Sequence, residues 1–174
     1  MKNSTLLILL FIPFLINGKM IGIIDSSRIC LNEESIIINQ QKSYSENLNL
    51  VAELYLSKSN IPEYLLLKII PKNYNEFEIY YGTTNPENKL SETAFFDEIT
   101  NMIFEKVTVE KNEKFYLPSL QFASFADGEF YETFEFYLEM IIKIDRKKFC
   151  ESVKGKEYLE RNPMKYYYEE NNCE

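Results

Sequence analysis

The chain has 174 residues, of which 45% are hydrophobic, and it carries a formal net charge of −8. This length fits one domain, and the hydrophobic content excludes general disorder. The negative charge argues against nucleic acid and anionic membranes as electrostatic partners, because both require a basic surface. The chain contains no histidine, which is the commonest general base and metal ligand, so we predict neither catalysis nor a cofactor.

The first eighteen residues have the layout of a secretory signal peptide. Lys2 supplies a positive charge, an apolar run extends from Leu6 to Ile16, and the small residue Gly18 marks the expected cleavage point. The run is shorter than the roughly 20 apolar residues that a membrane-spanning helix needs. The sequence therefore predicts a secreted, extracellular protein with no transmembrane segment after cleavage. The alternative is an uncleaved membrane anchor.

Short apolar runs separated by polar residues follow this segment. Seven or so short strands with turns between them are typical of an antiparallel sandwich. Residues 90–100 are a weaker, helical candidate. Asp127 and Gly128 offer a turn into the next strand. We interpret the apolar runs as strands at 20–24, 36–38, 50–56, 64–70, 77–81, 103–109 and 115–125.

The stretch from 129 to 145 is the strongest strand candidate. Its apolar side chains occupy alternate positions, namely Phe134, Phe136, Leu138, Met140, Ile142 and Ile144. Period two is typical of a strand with one buried face and one solvated face. We therefore predict an all-β fold, an antiparallel sandwich of about seven to eight strands with a short helical or irregular C-terminal tail.

Several short motifs occur in a fixed order in the middle of the chain: Glu53-Leu54-Tyr55, then residues 61–66, then residues 73–79, then Gly82-Thr83-Thr84. This order resembles the transthyretin-like family, which comprises small secreted proteins known mainly from nematodes. The resemblance covers about residues 20 to 150 and implies a transthyretin-like (prealbumin-like) sandwich. Together with the predicted signal peptide at 1–18, the resemblance predicts a transthyretin-like domain at 19–150 and leaves a C-terminal tail at 151–174.

The chain has three cysteines, Cys30, Cys150 and Cys173. In a secreted protein we expect one disulfide and one remaining cysteine. We favour Cys30–Cys150, which would tie the first strand to the end of the last one. The family resemblance agrees, because the family's middle cysteines are absent together here. The alternative pairing is Cys150–Cys173, and the remaining cysteine is then a free or capped thiol or forms an interchain disulfide.

Tyrosines are the candidate partner contacts, because tyrosine is enriched at protein interfaces. In the tail we predict a short helix at 152–161, stopped by Asn162 and Pro163. Three consecutive tyrosines follow, and their alternative role is to pack over a sheet edge. The predicted contacts on the outer faces and in the tail are Tyr55, Tyr80, Tyr131, Tyr137, Tyr166, Tyr167 and Tyr168.

The adjacent carboxylates offer little chemistry, because neighbours on a strand point to opposite faces. We interpret Glu33-Glu34, Asp97-Glu98 and Glu169-Glu170 as solvated charges. The sequence thus favours a secreted, non-catalytic binding or bridging protein for a small apolar ligand, a lipid or a cell-surface partner. The first alternative is a structural or host-interaction protein without a small ligand. The second is a hydrolase of the same fold. Separately, the open sheet edges of such a sandwich allow a homodimer.

Overall fold

Helices make up the regular structure of the residues described by the computed structural model, which are 42–126 and 131–173. The α-helices are α1 (Tyr44–Leu56), α2 (Glu63–Ile69), α3 (Tyr74–Tyr81), α4 (Phe95–Thr108), α5 (Glu113–Ala123), α6 (Tyr131–Ile144), α7 (Arg146–Val153) and α8 (Met164–Glu170). Two short 3-10 segments cover Gly82–Thr84 and Glu157–Glu160. None of the residues in these ranges forms a strand, so the predicted all-β sandwich is wrong.

Helix α6 shows why the strand prediction failed. Its buried side chains are three and four residues apart, at Phe134, Tyr137, Leu138, Ile141 and Ile142, which is the spacing of one helix face. Phe136 and Ile144, which a strand would bury beside Phe134, are 59% and 47% exposed. Residues four apart share a face in both a helix and a strand. Phe134, Leu138 and Ile142 are four residues apart and fit both a strand and a helix, so the alternating pattern was misleading.

The other predicted strands within the described residues are also helical. The runs at 50–56, 64–70, 77–81, 103–109 and 115–125 fall largely in α1, α2, α3, α4 and α5. The helical candidate at 90–100 is confirmed only from Phe95, where α4 begins. The helix predicted at 152–161 has the wrong bounds, because α7 ends at Val153 and Glu157–Glu160 is a 3-10 turn.

Several predictions concern residues outside the described ranges. These are the signal peptide at 1–18, the strands at 20–24 and 36–38, the carboxylate pair Glu33-Glu34, Cys30, and the turn at Asp127 and Gly128. The described residues belong to one compact unit. Within it, helix α7 runs across the predicted boundary between 150 and 151.

Local sequence sets where the helices begin. Ser43 starts α1 with a capping box, in which its hydroxyl accepts the Glu46 N–H and the Glu46 carboxylate accepts the Ser43 N–H at 2.7 Å. The Asn73 side chain caps α3 by accepting the Glu76 N–H, and the Asn112 side chain caps α5 by accepting the Lys114 N–H. Asp145 caps α7 directly after α6, so a single residue separates these two helices. Caps of this kind are typically worth about 1 kcal/mol each.

The core is built around α4, which contacts α2, α5 and α6. Phe104 of α4 stacks on Phe122 of α5 at 5.7 Å and on Tyr137 of α6 at 4.7 Å between ring centroids. Phe134 meets Phe104 and Phe122 edge-on, at 5.6 and 4.9 Å. The three phenylalanines are fully buried. Such pairs add about 0.5–1.5 kcal/mol each beyond the burial of area, so this cluster locks the three helices together.

A disulfide joins Cys150 of α7 to Cys173, beyond the end of α8. The predicted pairing of Cys30 with Cys150 is therefore wrong, and the alternative pairing, Cys150 with Cys173, is the one observed. Beside the disulfide, the Arg146 guanidinium donates to the backbone carbonyls of Asn171 and Asn172. The carboxyl-terminal segment is therefore held to α7 by a covalent bond and by polar contacts.

Within 42–126 and 131–173, every helix falls short of the length and apolarity that a membrane crossing needs.

Candidate functional site

The structure places two of the predicted contact tyrosines in the core. Tyr80 is fully buried, and its hydroxyl lies 3.0 Å from the Thr100 hydroxyl. Tyr137 is 7% exposed, and its hydroxyl donates to Asn101 Oδ1 at 2.9 Å. Both hydroxyls are already satisfied inside the protein, so the structure corrects the prediction that Tyr80 and Tyr137 contact a partner.

Three other tyrosines, Tyr131 of α6 and Tyr166 and Tyr167 of α8, lie near one another. The Tyr131 hydroxyl donates to Glu135 Oε1 at 3.1 Å, and the Tyr167 hydroxyl donates to Glu139 Oε1 at 3.4 Å. The rings of Tyr166 and Tyr167 meet edge-on at 5.2 Å. Tyr167 is buried, whereas Tyr166 is 51% exposed. Tyr167 therefore anchors this group, and Tyr166 presents a ring to the outside.

The phenols of Tyr131 and Tyr167 remain neutral hydrogen-bond donors. Burial raises the pKa of Tyr167, and the negative charges of Glu135 and Glu139 raise it further. Burial and the bond to Glu135 also raise the pKa of Tyr131. A raised pKa keeps a phenol protonated at neutral pH. Each phenol already donates its one proton, Tyr131 to Glu135 and Tyr167 to Glu139, so these two side chains hold the site in shape and are poorly suited to act as bases.

A cleft of about 890 Å³ opens beside the tyrosines. Tyr74, at the start of α3, contributes a ring that is 63% exposed. Arg161 lies on the carboxyl-terminal side, with its guanidinium carbon 4.9 Å from the centroid of the Phe125 ring. We call this surface the tyrosine cleft and define it by Tyr74, Phe125, Tyr131, Arg161 and Tyr166.

Arg161 supplies the positive charge of the tyrosine cleft. Its Nη1 donates to the Ser124 hydroxyl at 3.4 Å, a long contact. Among the described residues, Arg161 forms no ion pair with a carboxylate. A guanidinium carries five N–H donors in a rigid fork. Within 42–126 and 131–173 the Arg161 side chain donates to Ser124 alone, so it has further N–H donors for an anionic or carbonyl group of a ligand.

The remaining predicted contacts lie elsewhere. Tyr55 packs edge-on against Phe95 at 5.2 Å and borders a different cleft of about 840 Å³, together with Leu56 and Met102. Tyr168 is partly buried and packs against the core. The structure therefore brings Tyr131, Tyr166 and Tyr167 together but leaves Tyr55 and Tyr168 outside the tyrosine cleft.

The predicted carboxylate pairs lie on helices rather than strands. Asp97 and Glu98 are exposed on the first turn of α4, and Glu169 and Glu170 are exposed at the end of α8. The described ranges contain no group of three or more cysteine, aspartate or glutamate side chains arranged to hold a metal ion.

Sequence reasoning missed Tyr74 and Arg161 as members of a site. Tyr74 stood inside one of the family-like motifs, and Arg161 ended a predicted helix. The two residues are far apart in the chain, and only the packing of α3 near the segment before α8 brings them to one cleft. No local pattern links them, so no signal in a single sequence could have paired them.

Comparisons of the chain with protein-family models, with curated proteins and with solved structures find no match. The transthyretin-like resemblance stays a prediction on which these comparisons do not bear, while the sandwich that it implies is overturned for the described residues.

Proposed function

We propose that the chain is a secreted, non-catalytic binding protein that holds an extracellular protein partner in the tyrosine cleft. The observation that carries this proposal is the placement of two exposed rings, Tyr74 and Tyr166, around an arginine without a carboxylate partner among the described residues. Tyrosine and arginine are among the residue types that contribute most to binding energy at protein interfaces.

The tyrosine cleft is also preorganised for binding. Tyr167 is buried against the core and supports Tyr166, while the Phe125 ring supports the Arg161 guanidinium. Side chains that are already held lose less conformational entropy when a partner binds. This surface fits a partner loop that makes two contacts. An acidic side chain or a backbone carbonyl of the loop would meet Arg161, and an apolar side chain would meet the tyrosine rings.

Two features support an extracellular location for this function. The first residues have the pattern of a secretory signal, as described above. The Cys150–Cys173 disulfide is of a kind that forms and persists in oxidising compartments such as the secretory pathway. An extracellular location exposes the tyrosine cleft to proteins of the cell surface and of the surrounding medium.

Site-specific photocrosslinking tests the proposal. The photoreactive residue p-benzoylphenylalanine would replace Tyr166 or Tyr74 in the full chain, secreted from cells of its source organism. The control position is Tyr64, which is 46% exposed on α2 and lies outside the tyrosine cleft. We expect a discrete adduct from positions 166 and 74 and none from position 64.

Mass spectrometry would identify the crosslinked protein, and its affinity would then be measured for wild type and for Arg161→Ala. We expect the variant to bind at least about tenfold more weakly, because an arginine at the centre of an interface is a typical hot spot. Any of three results would overturn the proposal. The two cleft positions could give no adduct, position 64 could give an equal adduct, or Arg161→Ala could bind with wild-type affinity.

A further inference from the structure

A second surface, separate from the tyrosine cleft, forms an apolar groove of about 340 Å³. Leu67 of α2 and Leu117 and Pro118 of α5 line it, together with the ring of Tyr158 from the 3-10 segment Glu157–Glu160. Leu117 is 48% exposed, which is unusual for a leucine beside a well-packed core, whereas Tyr158 is 9% exposed. Leu117 therefore offers a half-exposed apolar side chain to the groove, and the buried Tyr158 ring forms part of its wall.

Two lysines border this groove. Lys72 follows α2, and Lys156 precedes the 3-10 segment that carries Tyr158. Both side chains are exposed, and neither amine forms an ion pair with a carboxylate of the described residues. Other exposed lysines of the described residues, such as Lys58, Lys89 and Lys114, also form no ion pair, so the distinguishing feature of Lys72 and Lys156 is their position beside the groove.

This arrangement stands out because the chain as a whole is acidic, with a formal net charge of −8. Two unpaired cations beside exposed apolar side chains create a local site that attracts a negative head attached to an apolar body. A neutral apolar ligand would make no use of the lysines, and a cationic one would be repelled by them.

The border of the groove is held in place by the fold. Gln121 Nε2 of α5 donates to the Lys72 carbonyl at 2.5 Å, which ties this border to the opposite wall. The Lys72 N–H donates to Glu76 Oε2 at 2.8 Å, and the Lys156 N–H donates to the Val153 carbonyl at 3.0 Å. A preformed groove loses little entropy when a ligand enters it.

The volume of the groove indicates the size of ligand that it can hold. Small-molecule pockets typically enclose about 300–1,000 Å³, and this groove lies near the lower end of that range. It is suited to one alkyl chain, whereas a two-chain phospholipid or a partner helix needs a larger surface. We propose that this groove binds a single-chain fatty acid. Its alkyl chain contacts Leu67, Leu117 and Tyr158, and its carboxylate lies next to Lys72 and Lys156.

Calorimetric titration of the mature protein with decanoate, below its micelle concentration, tests this inference. Decyltrimethylammonium has an alkyl chain of nearly the same length with a positive head and serves as the matched ligand control. We expect saturable binding of one decanoate and binding of the cationic amphiphile at least about tenfold weaker, because the two lysines repel it.

The variant Lys72→Glu/Lys156→Glu reverses the charge at the border of the groove. Its matched control is Lys147→Glu/Lys154→Glu, which changes the net charge equally but alters exposed lysines in and just after α7 that do not line the groove. We expect the first variant to bind decanoate at least about tenfold more weakly. The control should bind it with wild-type affinity. If the charge-reversed variant does not fold, Leu117→Ala provides a second test and should also weaken binding.

The inference would be overturned if the two amphiphiles bind equally well or if decanoate shows no saturable binding. Wild-type decanoate affinity in the Lys72→Glu/Lys156→Glu variant would also overturn it. Binding of an acidic leucine-containing peptide without binding of decanoate would overturn the assignment to a fatty acid. Arg161→Ala should leave decanoate affinity unchanged, so a failure here is distinguishable from a failure of the tyrosine cleft.

Discussion

Cys150 and Cys173 are joined by a disulfide that links α7 to the end of the described chain, with their Cα atoms 5.0 Å apart. The loop that this bond closes contains Arg161 and Tyr166 of the tyrosine cleft, and also Lys156 and Tyr158 of the apolar groove. Both proposed sites therefore depend on a segment that a single covalent bond fastens to the helical core.

Removing this bond should destabilise the protein. For a loop with a sequence separation of 23 residues, the chain-entropy account gives a loss of about 3 kcal/mol for Cys150→Ser/Cys173→Ser. Urea unfolding followed by circular dichroism would measure it.

The control is Cys30→Ser, which should retain wild-type stability and the tryptic peptide pair that contains Cys150 and Cys173. Destabilisation by Cys30→Ser, together with a crosslinked peptide of Cys30 and Cys150, would contradict the observed pairing.

Two phenylalanines on α6 separate the helical fold from the predicted strand. Phe134 is fully buried and Phe136 is 59% exposed. Phe134→Ala should lower the free energy of unfolding by about 3–5 kcal/mol, because it leaves a cavity among Phe104 and Phe122. Phe136→Ala should change it by no more than about 0.5 kcal/mol. Urea unfolding of both variants would measure this. Similar losses in the two variants would indicate that both rings face one buried side, as in a strand.

Stability should decline at alkaline pH, in part through Tyr116. Burial raises the pKa of Tyr116 from 10.0 to about 12, with smaller contributions from the charges of Asp145 and Glu113. A folded-state pKa above the unfolded value means that the folded protein holds the phenolic proton more tightly. The stability that Tyr116 contributes is therefore fully present below about pH 10 and is lost as the pH rises towards about 12.

Urea unfolding at about pH 8 and about pH 11 would measure this decline. Tyr116→Phe lacks the phenolic proton, so its loss of stability between the two pH values should be smaller than that of wild type. An equal or steeper decline in the variant would show that Tyr116 does not contribute.

The helical fold could not be read reliably from apolar periodicity alone. In α6, Phe134, Leu138 and Ile142 fit a period of two as well as a helical period, because they are four residues apart. The residues that distinguish the two patterns are Phe136 and Ile144, which only a strand would bury, and Tyr137 and Ile141, which only a helix buries with Phe134. Tyr137 was assigned to the polar face and Ile141 was treated as an exception, yet both are buried.

The candidate site was predictable only in part. The carboxyl-terminal tyrosines were identified from composition, and Tyr131 and Tyr166 do border the tyrosine cleft. Their exposure could not be predicted, because a tyrosine packs equally well in a core or at an interface. Tyr80 and Tyr137 lie in the core for this reason.

The sequence by itself determined the acidic charge and the core-forming composition, because these depend only on which residues are present. Only the tertiary structure decided which apolar period is used, which tyrosines are buried and which cysteine pairs with Cys150. These outcomes depend on contacts between residues far apart in the chain, and the free energy of burying such contacts outweighs local preference.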